Sequence, residues 1–499
     1  MTKQIPHFIN GKHEPGASTR CGEVFNPNTG QIQSKVAFAS KDEVNAAVKS
    51  AKSALPEWAA INPQRRARVL FQFKRLLEDN MDELAQTLSA EHGKTIADSK
   101  GDIQRGLEVV EFACGVPHLA KGEFTSSAGT GIDMYSMRLP VGVCVGITPF
   151  NFPAMIPMWM FAPAVACGNT FVCKPSEKDP SLPLRLAELF IEAGAPPGVL
   201  NVVNGDKECV DLLLSHPDVA AVSFVGSSSI AEYVYANASA NGKRVQAMGG
   251  AKNHMVIMPD ADMERVVDDL IGSGYGSAGE RCMAIAVAVP VGEDTAGHLM
   301  EKLVPRVEGL RVGPSQDPQS DYGPLVTAQH RDKVKGYINM GIEEGATLAV
   351  DGRDFSLQGY EDGFFLGASL FDNVTAGMQS YKEEIFGPVL QVARASNFEE
   401  AMALPTTHDY GNGAAVYTRD GDTAREFAAR VGVGMVGVNV PIPVPLAYYS
   451  FGGWKRSAFG DMNQHGMDGI RFYTKLKTVT SRWPSGVKEG SDFSIPTMK

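Results

Sequence analysis

The sequence of 499 residues lacks a block of basic residues and has few cysteines. Its seven cysteines form no CxxC pair and no tight Cys/His cluster with the spacing of zinc ligands. A disulfide scaffold and a structural zinc site are therefore disfavoured, and we predict no bound metal. Because the net charge is −11 and no basic block is present, nucleic acid and anionic membranes are not expected as partners.

The sequence also lacks an apolar run that could continue as a membrane helix. The longest uncharged stretch, residues 139–173, contains Pro149, Pro153, Pro157, Pro163, Asn151 and Asn169. Because prolines and unpaired polar groups disfavour a lipid-exposed helix, we predict a buried strand, helix and strand here. The first residues have no apolar core typical of a signal peptide, so the expected compartment is the reducing cytoplasm.

The composition that remains is that of a globular enzyme, with 43% hydrophobic and 21% charged residues. The length predicts about three domains. Short apolar strands alternate with helices between residues 143 and 248, which is typical of a doubly wound parallel sheet. The predicted strands are Val143–Ile147, Thr170–Cys173, Val199–Val203, Val219–Phe224 and Arg244–Met248.

A second α/β region follows the first. Its predicted strands are His254–Met258, Ile285–Val291, Val389–Ala393, Ala414–Tyr417 and Gly434–Val438. Outside both regions, apolar and polar residues alternate over residues 132–137 and 470–477, which predicts two strands of a small projecting sheet. We interpret this small sheet as a subunit contact.

Two local signals mark the N-terminal region. Asn10-Gly11 suits the type I′ turn of a hairpin over residues 8–12. Ser40 and Glu43 have the spacing of a capping box, which predicts that a helix begins there.

Polar residues follow several strands of the first predicted sheet. Asn151 comes after the first strand, Lys174 and Glu177 after the second, and Gly226-Ser227 after the fourth, where a helix opens. Ligands of an open parallel sheet bind outside the carboxyl ends of its strands. A Gly-Ser helix start offers free N–H groups to a phosphate. These strand ends together predict a nucleotide site.

The segment Gly274–Gly279 matches GxGxxG, but it follows a predicted helix and not a strand, so we discount it as a dinucleotide motif. We interpret its glycines as allowing close backbone approach just before Cys282. Cys282 is the candidate nucleophile, and the neighbouring Arg281 predicts a lowered thiol pKa. Three other cysteines lie in apolar runs and are expected to be small buried side chains: Cys144, Cys167 and Cys173.

Together these residues resemble the aldehyde dehydrogenase superfamily over residues 8–483. The matching segments are Thr148-Pro149-Phe150-Asn151-Phe152-Pro153, Lys174-Pro175-Ser176-Glu177, Phe224-Val225-Gly226-Ser227, Gly279-Glu280-Arg281-Cys282, Glu384-Ile385-Phe386-Gly387-Pro388 and Phe451-Gly452-Gly453. Six such segments in the right order make the resemblance specific.

The resemblance implies a role for each matching residue. Cys282 would be the nucleophile and Asn151 the oxyanion donor. NAD would be held by Phe150, Lys174, Glu177, Gly226, Ser227, Glu384 and Phe386. A Glu177 carboxylate that accepts from a ribose hydroxyl would repel a 2′-phosphate, which favours NAD over NADP.

The resemblance also implies a division of the chain. The implied parts are an NAD-binding domain (1–121 and 141–250), a catalytic domain (251–445), oligomerisation strands (122–140 and 468–484) and a connecting segment (446–467). The implied assembly is a homo-oligomer, a homotetramer or a dimer.

One residue departs from the hydrolytic members. They carry a general-base Glu where Ala247 stands here, and without that base thioester hydrolysis should be slow. A thiol acceptor needs no such base. The segments 250–254 and 280–284 resemble the CoA-acylating branch, which acts on methylmalonate and malonate semialdehyde. The alternatives are a hydrolytic enzyme in which Glu280 is a substitute base, and a silent binding protein.

Two arginines carry the substrate prediction. Arg281 adjoins the nucleophile, and Arg105 lies in a segment, residues 100–107, that also resembles the acylating branch. A guanidinium binds a carboxylate through two parallel hydrogen bonds. The resemblance therefore implies a substrate with its own carboxylate, with NAD as cofactor and coenzyme A as co-substrate.

Overall fold

The computed structural model describes residues 3–483. The implied NAD-binding domain begins at Met1 and the last implied oligomerisation strand ends at Pro484; residues 1, 2 and 484 lie outside the described residues. The helices are α1 Lys41–Ala60, α2 Pro63–Asp79, α3 Met81–His92, α4 Ile96–Cys114, α5 Val116–Leu119, α6 Met155–Ala166, α7 Ser181–Glu192, α8 Lys207–Ser215, α9 Ser228–Ala240, α10 Met263–Tyr275, α11 Glu293–Glu308, α12 Ala328–Glu343, α13 Gln379–Lys382, α14 Phe398–Thr407, α15 Gly421–Arg430 and α16 Gly466–Phe472.

The strands form five sheets. In chain order they are β1 Lys3–Ile5, β2 His7–Ile9, β3 Lys12–Glu14, β4 Cys21–Asn26, β5 Gln31–Ala37, β6 Phe124–Gly129, β7 Ile132–Pro140, β8 Val143–Ile147, β9 Thr170–Lys174, β10 Leu200–Val202, β11 Val219–Val225, β12 Arg244–Met248, β13 Asn253–Ile257, β14 Ile285–Pro290, β15 Thr347–Val350, β16 Ser369–Asp372, β17 Val389–Val392, β18 Tyr410–Gly411, β19 Gly413–Tyr417, β20 Met435–Val438, β21 Trp454–Lys455, β22 Ala458–Phe459 and β23 Thr474–Arg482.

The first large sheet has the order β22-β12-β11-β8-β9-β10-β2-β3. Its five central strands are parallel and are the five strands that the alternation predicts. Antiparallel strands close both edges, since β22 pairs with β12 and the β2–β3 hairpin adds to β10. Asn10 and Gly11 both have positive φ in that hairpin, as a type I′ turn requires.

The second large sheet has the order β15-β16-β17-β14-β13-β19-β20. All its pairings are parallel except that of the edge strand β15. The five predicted strands are present, and β15 and β16 were missed because their four residues each show neither strict alternation nor a long apolar run. The predicted α/β class with two parallel sheets is confirmed.

The small sheet has the order β23-β7-β6, and β23 pairs with β7 along its whole length. One prediction was wrong: residues 470–472 belong to α16, not to a strand. Ile470 and Phe472 are buried against the first sheet's core, and a two-residue alternation over three positions does not distinguish a strand from a helical turn. A further small sheet, β1-β5-β4, was not predicted.

The uncharged stretch 139–173 forms the centre of the first core. It folds as β8, α6 and β9, and every residue of these three elements is buried. Trp58 of α1 donates a hydrogen bond from Nε1 to the main-chain oxygen of Val165, which ties α1 to α6. Within residues 3–483, no helix is both long enough and apolar enough to cross a membrane.

Helix α4 packs closely against α6 at Gly106. A Cβ atom built on Gly106 would lie 2.2 Å from Met158 Cε and 3.1 Å from Met155 Cα. Gly101, one and a half turns earlier on the same helix, is exposed and has nothing within 4 Å of such an atom. The two glycines therefore separate a packing requirement from helix propensity.

We expect Gly106→Ala to lower the melting temperature and Gly101→Ala to raise it. Overpacking costs about 1–3 kcal/mol, whereas replacing an exposed helical glycine by alanine gains about 0.5–1 kcal/mol. Thermal unfolding of the two variants beside the wild type measures the difference. Equal shifts in both variants would contradict close packing at Gly106.

Candidate active site

A cavity of 710 Å³ lies where four neighbouring strands of the first sheet end. Its walls include the residues that follow β8, β9, β11 and β12, together with Cys282 from the segment before β14. The carboxyl ends of the first sheet thus face the amino end of a strand in the second sheet. All seven predicted cofactor residues line this cavity, and Asn151 and Cys282 line it with them.

Lys174 and Glu177 form the polar wall at the end of β9. Lys174 Nζ lies 3.2 Å from Glu177 Oε2, and Lys174 is 5% exposed. Burial alone would raise the pKa of the Glu177 carboxyl, but the charge and hydrogen bond of Lys174, a main-chain hydrogen bond and the charge of Lys178 together hold the pKa below its usual value. The pair therefore presents an ionised carboxylate and an ammonium group, which suit the hydroxyls of a ribose.

Gly226 and Ser227 form the entrance to α9, a helix of 13 residues. A Cβ atom on Gly226 would lie 2.5 Å from the ring of Phe224, so only glycine fits there. Ser227 is the N-cap residue, and its side chain makes no capping hydrogen bond. The helix therefore offers N–H groups and a hydroxyl to an anion, which fits the pyrophosphate of a dinucleotide.

Glu384, Phe386 and Phe150 lie at the inner end of the cavity. Glu384 Oε1 accepts a hydrogen bond of 2.9 Å from the Ala251 N–H, and a Cβ on Gly250 would lie 2.5 Å from Glu384 Oε2. Burial raises the pKa of Glu384 to about 7. The Phe150 and Phe386 rings meet edge to face with centroids 5.9 Å apart. These groups fit a second ribose and a flat ring, so the cavity has the donors and shape for NAD.

Cys282 lines both this cavity and a smaller one formed by the ends of strands of the second sheet and the loops beside them. Its main-chain oxygen accepts hydrogen bonds from Asn253 Nδ2 at 3.0 Å and from Asn412 Nδ2 at 3.1 Å. Two amides therefore fix the peptide that carries the nucleophile. Sequence reasoning missed both residues: Asn253 lies in a segment noted for its resemblance, and nothing marks Asn412.

The prediction of a lowered Cys282 pKa was wrong. Burial raises the pKa of the Cys282 thiol to about 12, and the nearby Glu384 carboxyl adds to the rise. Arg281 does not counter this effect, because its Nη2 lies 2.6 Å from Asp98 Oδ1 in an ion pair. The resting nucleophile is therefore a protonated thiol at neutral pH.

Asn151 lies on the turn between β8 and α6 and is 4% exposed. Its Nδ2 donates a hydrogen bond of 3.0 Å to the main-chain oxygen of Glu280. An amide nitrogen carries two hydrogens, so one N–H remains for a second acceptor. Since Asn151 and Cys282 line the same cavity, this N–H is available to an oxyanion formed there.

The two arginines predicted to bind substrate are both engaged in the structure. Arg281 lines the smaller cavity beside Cys282 and pairs with Asp98. Arg105 Nη1 lies 2.6 Å from Glu108 Oε2, and its Nη2 donates to the main-chain oxygen of Pro445 at 2.8 Å. Their role toward a substrate carboxylate stays a prediction.

The two candidate positions for a hydrolytic base differ in the structure. Ala247 is fully buried in β12 and carries no acid. The Glu280 carboxyl is also fully buried, 3.6 Å from His330 Nε2 and 3.9 Å from His92 Nε2. Glu280 is absent from the walls of both cavities that Cys282 lines, so the geometry does not favour it as a base for water.

Comparison with known proteins agrees with this geometry. Residues 14–479 match the aldehyde dehydrogenase family. The chain is 54% identical to malonate-semialdehyde dehydrogenase of Pseudomonas aeruginosa, over 99% of each chain. It is 47% identical to the acylating, mitochondrial methylmalonate-semialdehyde/malonate-semialdehyde dehydrogenase of Mus musculus, over 98% of this chain and 91% of that one.

Solved structures give the same picture. A methylmalonate-semialdehyde dehydrogenase of Oceanimonas doudoroffii superposes with a TM-score of 0.96 at 55% identity, covering 98% of this chain and 100% of that one. A Sinorhizobium meliloti protein, provisionally assigned the same activity and complexed with NAD, superposes with a TM-score of 0.97 at 66% identity. It covers 98% of this chain and 100% of its own.

The buried Glu280 carboxyl makes a prediction for stability. Burial raises its pKa from 4.5 to about 8. Well below pH 4.5 the group is protonated in both states. Between pH 4.5 and about 8 the carboxyl is ionised in the unfolded chain but still protonated in the folded one, so the stability that Glu280 contributes at low pH is progressively lost. We expect the melting temperature of Glu280→Gln, relative to the wild type, to rise between pH 4.5 and about 8 and to level off above that pH.

The Glu301→Gln variant, which removes an exposed carboxyl by the same substitution, is the matched control. Charges that both proteins share cancel in the comparison. A flat difference for Glu280→Gln would mean that its carboxyl is not buried as described.

Proposed function

The chain belongs to the aldehyde dehydrogenase family, and on that premise we propose that it oxidises methylmalonate or malonate semialdehyde with NAD and transfers the acyl group to CoA. The observation that carries the proposal is a half-buried cysteine that lines the same cavity as an amide donor and all the predicted NAD-binding residues, with alanine where hydrolytic relatives carry a base. The similarity to semialdehyde dehydrogenases of this type along nearly the whole chain supports the choice of substrate.

The first half of the reaction acylates the enzyme. The Cys282 thiol gives its proton to water in the cavity that it lines, and its sulfur attacks the aldehyde carbon, which places negative charge on the carbonyl oxygen. The free N–H of the Asn151 amide and the Cys282 main-chain N–H stabilise this charge, and such a donor contributes about 3–4 kcal/mol in comparable sites. NAD, when bound, supplies the acceptor for the hydride that leaves this carbon. The product of this half is a thioester on Cys282.

The second half releases the acyl group. The CoA thiolate attacks the thioester carbon, the same two donors stabilise the oxyanion again, and the Cys282 sulfur leaves as thiolate. Water is the competing nucleophile, but it is weak unless a base removes its proton. Ala247 provides no base, and Glu280 lies outside the cavity walls. The family resemblance implies that the substrate carboxylate leaves as carbon dioxide, giving propionyl-CoA or acetyl-CoA.

Arg281 and Arg105 are the proposed binders of the substrate carboxylate. Arg281 lines the smaller cavity beside Cys282, of about 30 Å³, so its pair with Asp98 would have to open for a substrate carboxylate to reach it. Both arginines already contact acidic side chains, so a substrate carboxylate would share or displace Asp98 and Glu108. When substrate is absent, these two acids form ion pairs with the guanidinium groups and balance their charge.

The small sheet of β6, β7 and β23 is the proposed subunit contact. It carries several exposed apolar side chains, namely Phe124, Met134, Tyr135, Met137 and Leu476. Exposed apolar residues on a sheet that projects from the core favour association with a second copy. We propose a homo-oligomer, a tetramer or a dimer, built through these strands. The division into NAD-binding, catalytic and connecting segments is proposed with the same boundaries as in the sequence analysis.

Turnover should depend on CoA. Rapid mixing of enzyme, NAD and malonate semialdehyde should give one NADH per active site, followed by a slow steady state. Added CoA should speed the steady state by about 10²–10⁴-fold, the contribution of a positioned base that this chain lacks. Cys282→Ala is the control and should show no burst. Full-rate turnover without CoA, with free acid as product, would reject the acylating assignment in favour of a hydrolytic enzyme.

Arg105→Leu should impair the carboxylated substrate selectively. Losing a charge-assisted pair costs on the order of 2–4 kcal/mol, so KM for malonate semialdehyde should rise steeply while KM for propanal changes little. Arg75→Leu, which removes an exposed arginine that also pairs with an acid on its own helix, is the matched control. Equal losses on both substrates would make Arg105 a structural residue.

A further inference from the structure

Lys94 is a lysine with no exposed side-chain surface, in the short segment between α3 and α4. Its Nζ donates to the main-chain oxygen of Asn151 at 2.6 Å and lies 3.4 Å from Asp102 Oδ2. The Phe152 ring centroid is 4.3 Å from the same nitrogen. A buried ammonium is costly unless its hydrogens are satisfied, and these three groups satisfy it.

The position of Lys94 is itself fixed. Gly93 ends α3 with φ of 94°, and Thr95 caps α4 by accepting from the Asp98 N–H. The main-chain oxygen of Lys94 accepts a hydrogen bond of 2.8 Å from Ser89 Oγ. The lysine therefore extends from a rigid corner between two helices and not from a loose surface loop.

Asp102 connects the ammonium to the helix that follows Asn151. Its Oδ1 accepts a hydrogen bond of 2.7 Å from the Met155 N–H, the first residue of α6, while its Oδ2 faces Lys94. The turn over residues 151–155 is therefore held at one end by Lys94 and at the other by Asp102. Both side chains are fully buried, so solvent does not compete for these bonds.

Asn151 is thus held through two different groups. Lys94 binds its main-chain oxygen, and the main-chain oxygen of Glu280 accepts from its Nδ2. With both fixed, the position of the remaining amide N–H is fixed too, in a residue that lines the same cavity as Cys282. Rotation of the 151 peptide would move that N–H even if the side chain kept its rotamer.

We propose that Lys94 is a positioning residue that acts through Asn151, aiming the free amide N–H at the oxyanion formed on Cys282. The inference rests on the proposed function, since it requires Asn151 to stabilise that oxyanion. Lys94 touches neither substrate nor cofactor and makes no covalent bond. Its buried ammonium group holds the main chain of Asn151 and thereby orients the amide of that residue.

The test is a double-mutant cycle between Lys94→Met and Asn151→Ala, with the rate of the NADH burst in a single turnover as the readout. Lys94→Met should slow the burst about 10–100-fold, while the Kd for NAD and the KM for semialdehyde stay within about twofold, since a transition-state contact is lost. The double variant should be no more than about threefold slower than Asn151→Ala, because the two residues act as one unit. Losses that multiply in the double variant would overturn the proposal.

Lys243→Met is the matched control for removing a buried lysine. Lys243 Nζ donates to the main-chain oxygens of His216 at 2.5 Å and Val219 at 3.0 Å, at the far end of the first sheet from the cavity. Its effect on the burst should be small and should multiply with that of Asn151→Ala. The same pattern for Lys94→Met would assign Lys94 a structural role only.

Two outcomes separate this proposal from the function on which it rests. An Asn151→Ala variant with a wild-type burst would remove Asn151 from catalysis and with it the proposed oxyanion site. A slow Asn151→Ala burst with multiplicative loss in the double variant would reject Lys94 alone. If Lys94→Met does not fold, Asp102→Asn replaces it, since it keeps an acceptor for the Met155 N–H; its burst loss should also be absorbed in the Asn151→Ala background, and multiplication would again overturn the proposal.

Discussion

The hydrogen bond from Asn151 Nδ2 to the main-chain oxygen of Glu280 joins the two sheets next to Cys282, the proposed nucleophile. Asn151 follows a strand of the first sheet, and Glu280 precedes a strand of the second, 129 residues later. This contact sets the position of Asn151, the proposed oxyanion donor, relative to the segment that carries Cys282. Bonds behind it, from Lys94 to Asn151 and from Asn253 and Asn412 to Cys282, hold each side rigid.

Burial sets the charge state of the resting site. It raises the pKa of the Cys282 thiol to about 12, that of Glu280 to about 8 and that of Glu384 to about 7. The guanidinium of Arg281 forms an ion pair with Asp98, so it does not stabilise a thiolate at Cys282. The proposed nucleophile is therefore a protonated thiol at rest, and this slows adventitious oxidation, because the reactive form of a cysteine is the thiolate.

The polar residues at the carboxyl edge of the first sheet could be predicted because each is recognised from its near neighbours in the sequence. Each polar residue follows an apolar strand, parallel strands end on one edge, and the GxGxxG segment lacked the strand that a dinucleotide motif requires. Gly279 instead has φ of 74° and leaves no room for a Cβ, which would lie 2.1 Å from the Gly387 oxygen. This is the close backbone approach that the sequence indicated.

The contacts that could not be predicted join residues far apart in the chain. Arg281 and Asp98 are 183 residues apart, so nothing in the sequence showed that Asp98 pairs with Arg281. The sequence therefore left the expectation of a lowered Cys282 pKa standing. Asn412 and Cys282 are separated by 130 residues, and Lys94 and Asn151 by 57. Residues 470–472 failed for a different reason, since three positions do not distinguish a helical turn from a strand.

The proposed mechanism requires that Cys282 carries an acyl group that a thiol releases and water does not. Mass spectrometry of the enzyme after mixing with NAD and malonate semialdehyde, without CoA, would detect this group. We expect an acyl adduct that accumulates, maps to the Cys282 peptide and not to the exposed Cys21, and disappears when CoA is added. An unmodified Cys282 with free acid accumulating in solution would contradict it.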